Sequence, residues 1–255
     1  MNSIYFEQAF NEQCRLYLKL AALFDSIEQG LVNPEPAASR LALESLLHVL
    51  TLLDRPDFKT KLIKELTRLS GVFQRLMHSE KVNQPKLAMM LNQLETLSEQ
   101  LSLTEGKLGQ RLRDNDFLNT IRTHQHHSGG VCSQEIPFFH LWLLQPAAER
   151  FREISRFFED LGLMRQTVAM LLSLIRDSAL FNSKNAERGF FQTTLDPQQP
   201  LQLLRIQLPK QTLFFPETSI GRHGISIRFY ALNINDKRRS QTEHDIAFKL
   251  SICAI

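Results

Sequence analysis

An α+β chain, helical first and β-stranded last, is predicted from three observations. Apolar residues recur at helical spacing up to about Asn182 and at a period of two beyond it. Only 10 Gly and 10 Pro punctuate 255 residues, which favours long helices over a many-stranded sandwich. The helices precede the strands and do not alternate with them, the order of an α+β chain. The expected organisation is a helical bundle of about seven helices over residues 1–181, followed by a smaller, mostly antiparallel β-strand domain over 182–255. A first strand near 3–8 and a short strand near 131–136 are expected to pack with the β domain.

The helices follow from their stripes and breaks. Leu20, Phe24, Ile27 and Leu31 form an i, i+4, i+7, i+11 stripe on a first helix capped by Asn11. Pro34-Glu35-Pro36 ends it, Ala37 to Leu53 is a second helix, and Asp54-Arg55-Pro56 breaks the chain again. Leu62, Leu66, Leu69, Phe73 and Leu76 make one a/d seam, and Leu87, Met90, Leu94, Leu97 and Leu101 another. The short polar connector between them, His78 to Pro85, predicts an antiparallel helical hairpin. A fifth helix is predicted over Leu108 to His124. Another stretch opens at Pro137, breaks near Pro146 and resumes to about Asp160. Met164 to Ala179 is apolar almost all round, so that helix is expected at the buried centre of the bundle.

Four strands are predicted, Gly189–Thr194, Leu201–Leu208, Ile225–Leu232 and Asp245–Ile252, with turns at Asp196-Pro197, Pro209, Pro216, Gly221 and Asn233 to Asp236. Ile225, Ile227 and Phe229 share one face, and Ser226 and Arg228 the other. Phe190, Phe191, Phe214 and Phe215 look like strand core.

Composition excludes several classes. No apolar run of about 18 residues exists, so no membrane span is expected, and the N-terminus lacks the basic and apolar regions of a secretory signal. Three widely spaced cysteines, Cys14, Cys132 and Cys253, argue against a disulfide framework and fit a reducing cytoplasm. The net charge of +3 is unevenly placed. From Leu201 onward eight Lys and Arg face four Asp and Glu, a local +4, and the rest of the chain carries −1.

No G-x-S-x-G, Walker-type Gly-Lys-Ser/Thr or G-x-G-x-x-G is present, so no enzyme is expected and no cofactor is implied. His124, His126, His127 and Cys132 offer imidazole and thiolate suited to zinc, but no C-x-x-C or H-E-x-x-H accompanies them. The basic residues are the remaining lead. Arg15 and Lys19 lie four apart on one helix face. Arg111, Arg113 and Arg122 share a helix, and Arg222 and Arg228 lie in or beside a strand. Guanidinium groups can fork onto the carboxylates of an acidic peptide. The alternative reading is a cytoplasmic nucleic-acid-binding or metal-binding protein that uses the basic β domain or the His124/His126/His127/Cys132 cluster.

Several blocks, in shared order and spacing, resemble the ZapD family of bacterial cell-division proteins. They are Phe6-Glu7, Asn11-Glu12, Arg15 and Leu18; Leu62-Ile63-Lys64-Glu65-Leu66; Gly129-Gly130-Val131-Cys132-Ser133 with Glu135-Ile136-Pro137 and His140-Leu141-Trp142-Leu143; Leu174-Ile175-Arg176 with Ser178-Ala179; Gly189-Phe190-Phe191-Gln192; and Ile227-Arg228-Phe229. The resemblance implies a helical domain plus a β-strand domain and a symmetric homodimer, with the helical domain the expected dimer surface. It also implies a non-enzymatic cytoplasmic factor at mid-cell, without membrane or nucleic-acid partners. Such a factor binds the C-terminal tail of FtsZ, bundles its filaments and stabilises the division ring. The tail-binding residues it implies are Arg15, Lys19, Arg55, Arg113, His140, Arg222 and Arg228. Asp116 and Gly224 stand where the resemblance leads one to expect Arg.

Overall fold

The computed structural model describes residues 3–77, 83–125, 135–233 and 240–255. By compactness the chain divides into two units, one of residues 19–171 and one combining 1–18 with 172–255. The division falls inside two long helices, α1 (Glu12–Val32) and α9 (Gly162–Asp177). The N-terminal strand therefore groups with the late strands, because it pairs with one of them.

Residues 19–171 are helical. Between α1 and α9 lie α2 (Pro36–Leu53), α3 (Phe58–Leu76), α4 (Gln84–Leu103), α5 (Gln110–Arg113), α6 (Asp116–His124), α7 (Pro137–Leu143) and α8 (Ala147–Glu159). The expected seams are buried except at Leu76, which is exposed, and Met90, which is half-buried: Leu62, Leu66, Leu69 and Phe73 of α3 face Leu87, Leu94, Leu97 and Leu101 of α4. Lys59 Nζ reaches the Thr104 carbonyl at one end, and Gln84 Nε2 reaches the Met77 carbonyl, 3.0 Å, at the other, so the two helices run antiparallel. Arg150 of α8 is 3% exposed and has no carboxylate partner among the described residues. Its guanidinium instead donates to Ser39 Oγ at 3.0 Å and to the carbonyls of Pro34, Leu143 and Gln145. A buried charge is tolerable on those terms, because its N–H donors are taken by oxygens of the turns before α2 and after α7.

Three helix expectations change. The single helix over 108–124 is two, because the Asn115 side chain accepts the Leu118 N–H, 3.0 Å, and starts α6 afresh. Together with the break at Pro146, this gives nine helices among the described residues where about seven were expected. The apolar run in α9 buries Val168, Leu171, Leu172, Leu174 and Ile175 but leaves Gln166, Ala169 and Ser173 exposed, so the helix keeps a solvent stripe. Of the strand expected at 131–136, residues 131–134 lie outside the described residues, and Glu135 and Ile136 form a turn and a bend.

The other unit holds two sheets. One has the order β1 (Ser3–Ala9), β4 (Leu201–Pro209), β7 (Ile246–Ala254), β2 (Asn182–Ala186), and the other β3 (Phe190–Thr194), β6 (Gly224–Ala231), β5 (Phe214–Ile220). Every pairing is antiparallel. Alternate residues of both sheets meet in one core, Leu204, Ile206 and Leu208, then Ile246, Phe248 and Leu250, against Ile225, Ile227 and Phe229. The Phe229 and Phe248 rings sit 5.1 Å apart across it. β2 and β5 were not expected. β2 is polar up to its last residue, the buried Ala186, and β5 contains Pro216, which an edge strand accommodates because no second neighbour needs the N–H that proline lacks.

The other face of the four-stranded sheet carries a charge cluster. Glu7 of β1 lies opposite Arg205 of β4, and its Oε1 accepts from Arg205 Nε at 2.9 Å and Arg176 Nε at 3.0 Å. Glu7 Oε2 accepts from Arg176 Nη2 at 2.7 Å. Arg205 also stacks on Phe181 at 5.0 Å and Tyr5 at 5.5 Å. One carboxylate thus ties β1, β4 and the end of α9 together. Asn11 caps α1 as expected, accepting the Cys14 N–H at 2.8 Å.

Two outcomes are expected. Glu7→Gln leaves two guanidinium groups short of their counter-ion and should lower unfolding free energy by about 3 kcal/mol in urea titrations. Burial, then the nearby Glu7 and Cys253, push the Cys14 thiol up from 9.0 to about 12, and burial also raises Cys253. The unfolded thiols ionise first as pH rises, so the folded state holds more protons between pH 9 and 12. Stability should therefore fall over that window, and less steeply in Cys14→Ala, as thermal melts across pH will register.

Candidate functional site

The outward face of the three-stranded sheet is built by register. Phe190 and Glu217 are the two cross-strand partners of Arg228, so all three stand on the face away from the core. The Arg228 guanidinium lies over the Phe190 ring, 5.3 Å from its centroid, and the side chain is exposed. One pair further along, Phe215 and Tyr230 are stacked at 5.8 Å. Of the four phenylalanines expected in the core, Phe191 and Phe214 pack against it, whereas Phe190 and Phe215 belong to this outer face. Alternation decides it: Phe191 pairs with buried Ile227 and Phe190 with Arg228.

Beside Arg228 opens a cleft of about 830 Å³ lined by Asn185, Arg188, Phe190, Gln192, Gln241 and Glu243 among others. The turn that presents Arg188 is strongly fixed. Arg188 has φ 46° and Gly189 φ 70°, and a Cβ on Gly189 would stand 2.6 Å from the Thr242 carbonyl. The Arg188 N–H donates to the Asp245 carboxylate at 2.8 Å, and its carbonyl accepts from Gln241 Nε2 at 2.9 Å. Arg222 is exposed at the tip of the β5–β6 hairpin, where the Gly221 N–H meets the Gly224 carbonyl at 2.9 Å. Arg228 is four strand residues, about 13 Å, beyond Gly224 at the start of β6, and Arg222 lies further still around the tip, so the fold does not bring the two together. Gly224 is in the close-packed part of that hairpin: a Cβ there would be 3.0 Å from the Thr193 carbonyl.

In α1, Arg15 and Lys19 are exposed one turn apart, with Arg15 paired to Glu12 at 2.5 Å. In the helical unit Asp54 gathers the basic residues around the end of α2. Arg113 Nη1 binds Asp54 Oδ1, and Arg122 Nη1 lies 3.5 Å from Oδ2. Arg113 also donates to the carbonyls of Leu50 and Leu108 at 3.3 Å. Its side chain is only 9% exposed, so it holds α5 to the end of α2, where a cation suits the negative end of the helix. Arg55, next to Asp54, is exposed. His140 is exposed on α7, while its neighbours Phe139 and Trp142 stack inward at 5.9 Å. Asp116 starts α6, where a carboxylate suits the positive end of the helix, a local reason for an acid in place of Arg.

Of the metal candidates, His126, His127 and Cys132 lie outside the described residues. Among the described residues no group of three or more His, Cys, Asp or Glu is placed to hold a metal. No helix of the described residues is long and apolar enough to cross a membrane. Arg188 and the aromatic setting of Arg228 were not legible in the sequence. The only signal was the Phe190-to-Arg228 register, which needs the pairing to be known.

An α+β chain with arginines displayed on a sheet face and on helix ends suits a protein that works by contact. The family model described as ZapD, cell division protein, matches residues 18–228. The chain is 35% identical over 254 residues to "Cell division protein ZapD" of Coxiella burnetii, covering 99% of this chain and 98% of that one. It is 29% identical over 254 residues to the protein of the same name in Methylococcus capsulatus, covering 100% and 99%, and 32% over 251 residues to that of Ralstonia pickettii, covering 98% and 99%. The chain belongs to the ZapD family of cell division proteins.

Arg113 and Arg55 are expected to behave differently. Arg113→Met should cost about 2 kcal/mol of unfolding free energy, because a nearly buried guanidinium loses its contact with Asp54 and its bonds to two carbonyls. Arg55→Met should leave urea unfolding unchanged within about 0.5 kcal/mol.

Proposed function

We propose that this chain is a non-enzymatic cytoplasmic division factor that binds the C-terminal tail of FtsZ. In this reading a homodimer, formed through the helical domain, links FtsZ filaments into bundles and stabilises the division ring at mid-cell. Family membership supports the division role. The observation that carries the tail-binding reading is the Arg228 guanidinium, exposed on a sheet face and stacked on Phe190. A guanidinium placed over a ring face is attracted by the ring without using up its N–H donors, which stay available to a carboxylate. Arg15, Lys19, Arg55, His140 and Arg222 are exposed and are proposed as further contacts, with Arg113 acting by fixing the turn that carries Arg55.

Each exposed ion pair contributes little, on the order of 0–1 kcal/mol. One tail on one site is therefore held weakly. A twofold molecule has two identical sites, and a filament presents many tails. Once one tail is bound, the second binding event proceeds at high effective concentration, and filaments become tied.

The test is light scattering of polymerising FtsZ, full-length and tail-deleted, with the wild-type chain and with Arg228→Glu. Scattering should rise strongly for full-length FtsZ with the wild-type chain, by severalfold less with Arg228→Glu, and not at all for tail-deleted FtsZ. An equal rise with tail-deleted FtsZ would contradict the reading.

A further inference from the structure

The helical unit contains a second, chemically different cleft. It measures about 470 Å³ and is floored by Phe117, Phe138, Leu141, Trp142 and Phe157. Phe117 sits 5.4 Å from Phe138 and 5.6 Å from Trp142, so the aromatic wall is continuous from α6 to α7. Along α7 the apolar surface runs on into solvent: Phe138 is 41% exposed, Leu141 66% and Leu144 69%. Phe138 and Leu141 are three apart on α7 and Leu144 follows at its end, so they make an open apolar strip leading into a cleft with an aromatic wall and a charged rim. Contiguous exposed apolar surface joined to a cavity of this size marks a place where something binds.

The charges of the wall say what. Glu153 accepts the Trp142 indole N–H at 2.6 Å, and Asp160 is paired with Arg111 at 3.2 Å. Both acids are thus engaged within the protein. Arg156 is exposed and has no hydrogen-bond or ion-pair partner among the described residues. The complement of this surface is an apolar side chain with a carboxylate close by in the same peptide. A basic peptide would meet Arg156 without compensation, and a wholly apolar one would leave it unpaired at the rim.

We infer that this cleft is the apolar anchor site for the acidic peptide whose carboxylates the exposed arginines of the helical unit attract, an inference that rests on the FtsZ-tail reading. The arginines supply attraction and on-rate, and the aromatic cleft holds the peptide once it has arrived. An apolar side chain enters between Phe117 and Leu141, and a neighbouring carboxylate pairs with Arg156.

Trp142 is the only tryptophan of the chain, so its fluorescence reports on this cleft alone. The experiment titrates the full-length protein with a dye-labelled synthetic peptide of the FtsZ C-terminal tail, read by polarisation. A parallel titration with unlabelled, tryptophan-free peptide is read by Trp142 emission. The expected result is a saturable change in Trp142 emission with the same midpoint as the polarisation curve. Leu141→Asp and Arg156→Glu, both on exposed side chains and checked for unchanged melting, should each weaken binding about tenfold. Polarisation binding with no Trp142 response and undiminished affinity in Leu141→Asp overturns the cleft assignment and leaves the FtsZ reading standing. No polarisation change at all overturns both.

Discussion

The β unit depends on one carboxylate shared by two guanidinium groups. Glu7 comes from the first strand, Arg205 from the fourth and Arg176 from the end of the last helix. Without a partner Glu7 and Arg205 would be expensive to hold where they are, since both are largely withdrawn from water, and Arg176 completes the pairing from a half-exposed position. Together they fix β1 on the edge of its sheet although nearly 200 residues of chain separate it from β4. That pairing sets the register of the four-stranded sheet. The four-stranded sheet supplies the core against which Ile225, Ile227 and Phe229 turn inward, and their inward turn is what sends Arg228 outward.

The chain's arginines divide by what surrounds them. Arg150 is buried and spent on carbonyls, and Arg113 is nearly buried and spent on Asp54 and the last turn of α2. Arg228, Arg222 and Arg55 are exposed, and Arg228 lies over an aromatic ring. Residue type does not distinguish these cases, because Arg serves equally as an internal hydrogen-bond hub and as a surface cation. Neighbouring geometry does. The same holds for the aromatics: Phe190 and Phe191 are adjacent and chemically identical, and the pleat sends one to the core and the other to the surface.

Much of the fold was legible in the sequence because its signals are local. The heptad seams of α3 and α4, the Asn11 cap and the alternation in β6 rest on residues within a few positions of one another. Interruptions were harder. Asn115 begins a new helix inside an amphipathic stretch, and only its hydrogen bond to Leu118 distinguishes it from a surface polar residue. Strands β2 and β5 were invisible because one is polar and the other holds Pro216, and both exist through their partners. The candidate site was partly legible. The basic residues could be named, and the resemblance selected among them, but the Phe190–Arg228 stack and the cleft around Trp142 join residues 20 or more positions apart.

In the proposed function, attraction between exposed guanidinium groups and peptide carboxylates brings the tail to the protein, and bivalency turns weak attachment into bundling. The most direct measurement is calorimetric titration of the protein with the isolated FtsZ tail peptide at several salt concentrations. The account requires binding at low salt that weakens steadily as salt rises, since exposed charge pairs are screened. Affinity independent of salt, or no binding at low salt, would contradict it.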